Sequence, residues 1–246
     1  MPIEPIVDQS PKPARRVPAA TPWDVRVSSW EEVTSSPVFV RLAERVLELA
    51  CIEVGDVVVD LGAGTGLLTL PAAERAATVY AVDYSEPMLE RVEVRACAAG
   101  RDNVECVVAD LREVPLDDAS ADVVISSYAF HHLRDEGKEL ALAEARRILR
   151  PGGRMVICDM MFALTLRGSD RRIVARKVVG IARRGPAGVV RLARNAGRVA
   201  AGRWEHPATV ERWRDMLEAR RFTGVEVFMV ENEAGIATAV RPRAIA

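Results

Sequence analysis

This chain predicts an α/β fold with a doubly wound, seven-stranded, mostly parallel sheet and a C-terminal antiparallel hairpin. Three observations predict it. Apolar runs recur and end in acids at Asp60, Asp83 and Asp110, the pattern of buried parallel strands that deliver polar groups to their carboxyl ends. Helical patterns alternate with those runs, as crossover connections require. The last two runs, Phe222 to Val230 and Gly235 to Val240, are joined by only Glu231-Asn232-Glu233-Ala234, which suits a hairpin and is too short for a parallel crossover.

The elements follow in order. Pro2, Pro5, Pro11, Pro13 and Pro18 break up the amino terminus, so residues 1–22 read as a disordered Pro-rich leader with no signal-peptide core. A single domain is expected over 23–246. Pro37 to Ala50 places Phe39, Leu42, Val46 and Leu49 at helical spacing, a face expected to pack on the sheet. Val57-Val58-Val59-Asp60-Leu61 is the first strand, and it runs into Gly62-Ala63-Gly64-Thr65-Gly66. A helix near 66–77 leads to the second strand, Thr78 to Val82, with Asp83 at its tip. A helix near 85–99 precedes a third strand ending Val107-Val108-Ala109-Asp110-Leu111. Ala121 to Ser127 is the fourth strand and enters Tyr128-Ala129-Phe130-His131-His132-Leu133. A helix near 136–149, opened by Asp135-Glu136, stops at Pro151-Gly152. The fifth strand is Arg154 to Asp159, and Pro207 to Arg221 reads as the last helix.

The glycine turn narrows the ligand. Glycine tolerates positive φ and lets backbone approach a ligand closely. A dinucleotide fingerprint would need glycine at position 67, but Leu67 stands there, so the spacing is G-x-G-x-G. Asp83 lies 21 residues after Gly62, where a carboxylate can accept from two ribose hydroxyls at once. A nucleoside-containing cofactor is expected.

Five ordered motifs, D-L-G-A-G-T-G, V-D-Y-S, A-D-L, I-S-S-Y-A-F-H-H-L and L-R-P-G-G, together resemble the class I S-adenosylmethionine-dependent methyltransferases, in the branch acting on small molecules and quinones. The resemblance covers residues 38 to 161 in order. It implies a Rossmann-like methyltransferase fold with S-adenosyl-L-methionine as cofactor. By position it implies that Asp60, Gly62, Ala63, Gly64 and Gly66 hold the methionine part. Asp83 would take the ribose hydroxyls, with Tyr84 and Met88 beside the adenine. Asp110, followed by Leu111, would accept from the adenine amino group, and Ser127 would lie beside the sulfonium. It also makes His132 the favoured proton acceptor, with His131 and Tyr128 as further catalytic candidates and His206 an outside one. The plain reading is that either histidine only caps or packs the loop.

A sulfonium methyl is already electrophilic, so such an enzyme mainly aligns an acceptor and excludes water. A histidine would take a proton from an oxygen or nitrogen acceptor near neutral pH. The fourth strand ends Ser126-Ser127-Tyr128, unlike the N/D-P-P-Y of amino-group methylation on nucleobases. No Pro-Cys for covalent attack on a pyrimidine is present at a strand end. The expected acceptor is small and lipophilic, methylated at oxygen, nitrogen or carbon, with a quinone, a lipid amine or a polyketide-like metabolite all fitting. A nicotinamide oxidoreductase, an RNA methyltransferase and a non-catalytic cofactor-binding protein are the competing classes, and no nucleic-acid partner is expected.

Composition sets further bounds. Apolar residues make up 49% of the 246, enough for a substantial core and against default disorder. Cys51, Cys97, Cys106 and Cys158 lack C-x-x-C spacing and read as small core hydrophobes in a reducing compartment, with no metal site. No run approaches the ~18 apolar residues of a membrane span, so the expected location is cytoplasmic. Charge is unevenly spread. Residues 167 to 203 carry eleven basic side chains against Asp170 alone, a net +10, in a chain whose total is −1. Arg191, Arg194 and Arg198 form one stripe on a helical wheel, with Val189, Leu192, Val199 and Trp204 on the other side. A basic helical lid insertion over 165–206 is expected, after the fifth strand. It caps the pocket with its arginines solvated, or it meets anionic lipid at the membrane periphery, with nucleic acid the least favoured alternative. Arginine outnumbers lysine 31 to 3 throughout, so the clustering is informative and the choice of arginine is not. The sequence does not fix an oligomeric state.

Overall fold

The computed structural model describes residues 21–163 and 205–243, with isolated positions 175, 178, 179, 185 and 197 between them. The leader expected over 1–22 and the insertion expected over 165–206 lie almost wholly outside the described residues.

Seven strands form one sheet: β1 (Val57–Leu61), β2 (Thr78–Asp83), β3 (Val104–Val108), β4 (Ala121–Ser127), β5 (Leu149–Met160), β6 (Thr223–Glu231) and β7 (Ala234–Val240). Their order is β3-β2-β1-β4-β5-β7-β6. The first five run parallel, and β7 pairs antiparallel with both β5 and β6. This is the predicted doubly wound sheet with its terminal hairpin. The topological reversal falls between β1 and β4, so a crevice opens beyond their carboxyl ends.

Helices cover both faces: α1 (Val27–Thr34), α2 (Pro37–Ala50), α3 (Thr69–Ala72), α4 (Glu86–Ala98), α5 (Asp135–Ile148) and α6 (Val210–Ala219), with a 3₁₀ turn at Phe130–His132. Alternation along the central strands feeds two cores. Val59, Leu61, Val124 and Ile157 face α5 and α6, packing with Leu142, Ile148 and Trp213. Val58, Val79, Val123 and Val156 face α2, packing with Leu42 and Val46. Each such side chain, fully buried, contributes about 1.5–3 kcal/mol. The strands therefore read as continuous apolar runs because both faces are covered.

Several expectations shift. The buried face of α2 is Leu42, Ala43, Val46 and Ala50, while Phe39 and Leu49 are only half-buried. The helix expected over 66–77 contracts to the four residues of α3. Pro71 has no N–H to offer Leu67, so the ladder has a gap at its centre. The third strand, Val104–Val108, stops short of Asp110 and Leu111, and the fifth starts earlier than expected, at Leu149, which pairs with Ala121 before a register shift. Cys51 and Cys97 are exposed, which corrects the reading of all four cysteines as core hydrophobes. Cys51 is the left-handed C-cap of α2, and Cys97 lies off the buried Leu89, Val92 and Ala96 face of α4. Helix α1 was not anticipated. Arg241 closes the far end of the sheet, exchanging backbone bonds with Gly152 and Gly153 and donating from Nη1 to the carbonyls of Arg146 and Arg147, each over 3.0 Å.

Candidate functional site

The glycine turn is bound to the tip of the neighbouring strand. The amides of Gly62 and Ala63 both donate to the Val82 carbonyl, over 2.8 and 3.0 Å. The Gly64 amide donates to Asp83 Oδ2 over 2.9 Å, and the Ser85 amide donates to Asp83 Oδ1 over 2.9 Å. Gly62 and Gly64 sit at φ +77° and +53°, which L side chains adopt reluctantly. Burial raises the Asp83 carboxyl above its ordinary range, and these amide bonds oppose that rise. Behind the turn, Asp60 is buried and accepts from Thr69 Oγ1 over 2.6 Å. Burial pushes its carboxyl up to about 7.

A cavity of about 260 Å³ opens in front of these groups. Its wall includes Gly62, Gly64, Asp83, Tyr84, Met88, Asp110, Leu111, Ser127, Tyr128 and His132, so strand ends far apart in sequence converge on one cavity. Asp60 and Ala63 line a smaller space just behind it, shared with Ser127 and Gly62. Gly66 lines neither space, and a Cβ there would meet Leu70 and Val92 at 3.4 Å, so in this structure it serves packing against α4. Asp110 is gripped by Arg112, whose backbone N–H and Nε reach Oδ1 over 2.9 and 2.8 Å while Nη2 reaches Oδ2. A carboxylate retains acceptor capacity beyond such a fork.

The histidines separate. His132 lines the cavity, its ring 4.8 Å from that of Trp23. His131 is turned into the protein, with Nδ1 2.6 Å from Asp159 Oδ1 and its amide donating to Asp159 Oδ2 over 2.9 Å. Burial alone would raise Asp159, but the His131 charge and hydrogen bonds outweigh it and hold the carboxyl below its ordinary range. Tyr128 lines the cavity in a left-handed conformation, φ +55°, and burial pushes its phenol far above the usual range, so it stays protonated near neutral pH. His206 does not line this cavity, and its amide donates to the His131 carbonyl over 2.6 Å. The fully buried Lys138 joins the two segments, donating to the carbonyls of Leu133 and His206 over 2.6 and 2.5 Å.

Sequence reasoning missed several wall and support residues. Trp23 and Trp30, from the chain before α2, close one side of the cavity. Their rings meet edge to face at 5.6 Å. Asp24 secures that segment by accepting from Ser85 Oγ over 2.7 Å. Arg112, Asp159 and Lys138 were also unread. A tryptophan pair beside the supposed leader was the signal available for the first of these. Among the described residues no group of His, Cys, Asp or Glu side chains could hold a metal ion, and no helix is long and apolar enough to cross a membrane.

The residues fit a nucleoside cofactor carrying an amino-acid tail. A buried carboxylate stands at the second strand tip, a glycine-rich turn adjoins it, and the Ser127 hydroxyl is buried with no partner among the described residues. Comparison with known proteins agrees. Residues 59–157 match the family model described as a methyltransferase domain. A Geobacillus sp. (strain WCH70) protein named an uncharacterized methyltransferase is 36% identical over 119 residues, covering 48% of this chain and 54% of the relative. A demethylmenaquinone methyltransferase of Clavibacter sepedonicus is 43% identical over 105 residues, covering 43% and 41%. The chain thus spans about half the length of the curated relatives it matches. A crystal structure of a SAM-dependent methyltransferase from Aquifex aeolicus superposes with TM-score 0.62 at 19% identity, covering 87% of this chain and 98% of that one. With the motif order and the sheet order, these findings make residues 59–157 similar to a methyltransferase domain, on a fold shared with S-adenosylmethionine-dependent methyltransferases.

Proposed function

We propose that this protein transfers a methyl group from S-adenosylmethionine to a small, apolar acceptor at oxygen, nitrogen or carbon by in-line displacement. The observation that carries the reading is the bond between Gly64 and Asp83, which sets a buried carboxylate against the glycine turn at the wall of a cavity. When bound, the cofactor supplies a methyl group made electrophilic by its sulfonium sulfur. Asp83 accepts from the ribose hydroxyls, and Asp110, held by Arg112, accepts from the adenine amino group. Tyr84 and Met88 pack the base. Trp23, Trp30 and Tyr128 exclude water from the space where the acceptor meets the methyl group. His132 takes the proton of an oxygen or nitrogen acceptor, while Asp159 and His131 fix the loop that carries it. A quinone or phospholipid acceptor is the narrower form of this reading, and the demethylmenaquinone methyltransferase relative supports the quinone.

Product formation from labelled cofactor, screened against quinone, phospholipid and phenolic panels, tests the proposal. Transfer to one panel supports it. Binding of S-adenosylhomocysteine without transfer to any panel favours a non-catalytic cofactor-binding protein, and binding of NAD(H) instead favours an oxidoreductase.

The net +10 of residues 167 to 203 favours a second element of function. In this reading the basic segment rests on anionic membrane and brings a lipophilic acceptor to the site.

A further inference from the structure

We propose that Trp30 completes the cofactor site, its indole N–H donating to the carboxylate of the cofactor's amino-acid tail. The inference rests on the cofactor reading above and adds a residue outside the family motifs.

The glycine turn has few donors left to offer. The amides of Gly62 and Ala63 are committed to the Val82 carbonyl, that of Gly64 to Asp83, and that of Gly66 to the Ala63 carbonyl. A carboxylate brought to this end also meets two acids, Asp60 and Asp83. It needs a donor from elsewhere, since an unpaired anion in a partly buried site is costly. Trp30 is placed to give one. A Cβ built at Gly64 would lie 3.0 Å from Trp30 Nε1 and 3.5 Å from Cδ1. The N–H edge, rather than the ring face, is therefore presented at the turn. Trp30 also lines both the main cavity and the smaller space beside Asp60, as does Ser127, whose buried hydroxyl lacks a partner among the described residues.

Two sets of contacts fix that edge in place. Trp23 and Phe39 meet the Trp30 ring edge to face at 5.6 and 6.0 Å. The adjacent Glu31 accepts from Arg91 Nε over 2.9 and 3.1 Å. It also lies 4.0 Å from Arg95, whose Nη1 donates to the Thr65 carbonyl over 2.6 Å. Helix α1 is thereby keyed to the glycine turn through the residue next to Trp30.

Calorimetry on the full chain with two ligands tests this. S-adenosylhomocysteine carries the amino-acid tail, and 5′-methylthioadenosine lacks it. Trp30→Phe keeps a packed ring and removes the N–H. It should weaken S-adenosylhomocysteine about tenfold, the scale of a hydrogen bond to a charged group, and change methylthioadenosine by less than about twofold. Equal weakening of both ligands, or of neither, overturns the proposal. Wild-type protein that binds neither ligand overturns the cofactor reading itself, and this inference with it. If Trp30→Phe does not fold, the Trp30 indole N–H resonance of the wild-type protein serves instead. It should move on adding S-adenosylhomocysteine and stay in place with methylthioadenosine, and the same response to both ligands overturns the idea.

Discussion

Asp83 and Gly64, 19 residues apart, are joined by a 2.9 Å hydrogen bond from the glycine amide to Oδ2. One carboxylate thus shapes the turn while standing at the cavity wall. Replacing it removes a charged acceptor from both tasks. Asp83→Ala should weaken S-adenosylhomocysteine binding by roughly 1.5–3 kcal/mol, read by calorimetry on a variant whose circular dichroism matches wild type. Unchanged affinity in a folded variant removes the ribose assignment.

Gly64 sits at φ +53°, with the Trp30 indole nitrogen 3.0 Å from where a Cβ would stand. A β-branched side chain there suffers backbone strain and fills the approach to the turn. Gly64→Val should abolish cofactor binding while most of the helix and strand signal remains. A variant that binds normally means the cofactor sits elsewhere.

Asp159 and His131 form a pair with side chains 1% and 4% exposed. Removing one partner from a buried pair typically costs about 3–5 kcal/mol. Asp159→Ala should lower unfolding stability by that order in urea titrations near pH 7. Because the native carboxyl lies below its ordinary range, its contribution is present above about pH 4 and is lost as pH falls through the native value. Wild type and variant should therefore converge in acid. A constant difference down to the acid transition counts against the ionic role.

Asp60 runs the other way. Burial holds its carboxyl at about 7, above the ~3.9 of an unfolded aspartate. The folded ligand-free protein keeps a proton that the unfolded chain has released. The stabilising contribution is full below about pH 4 and falls as pH rises to about 7. Its total is on the order of 4 kcal/mol. Asp60→Asn retains an acceptor for Thr69 and should lack this slope, so it should gain on wild type between pH 5 and 8 in denaturant titrations. Parallel profiles for the two proteins refute the assignment.

The charge of residues 167 to 203 yields a separate expectation. Each basic group near an anionic surface contributes about 1 kcal/mol. The Arg191→Glu, Arg194→Glu and Arg198→Glu triple variant should leave anionic vesicles in sedimentation assays and keep its cofactor affinity. Wild-type protein that remains in the supernatant at low and moderate salt rules out the membrane reading.

What the sequence disclosed follows from the range of each signal. Val57 to Asp60, the glycine spacing and Asp83 are local patterns at strand ends, and the parallel sheet brings them directly together at one cavity. The hairpin was legible for the same reason, since four residues cannot carry a crossover. Trp23 and Trp30 were not legible as cavity walls because their partners, Gly64 and His132, are set by how the chain before α2 lies across the sheet. Asp159 appeared only as the last residue of the fifth strand, and its partner 28 residues earlier emerges only when β4 and β5 pair in register. Lys138 looks like a solvated helix charge, yet it is fully buried between two carbonyls. In the same way Cys97 looked interior on composition but falls on the outer side of α4.

The place of β7 in the sheet has a consequence for how the protein is made. β7 lies between β5 and β6, although β6 is synthesised before it. Until Ala234–Val240 leaves the ribosome, β5 presents an open edge along its length and β6 has no neighbour to pair with. Unpaired edges of this kind invite pairing with other chains. The nascent protein is thus most exposed to aggregation late in synthesis, after its parallel strands have formed. Arg241, which follows directly and reaches back to the end of α5, fastens the sheet once that last strand slots into place.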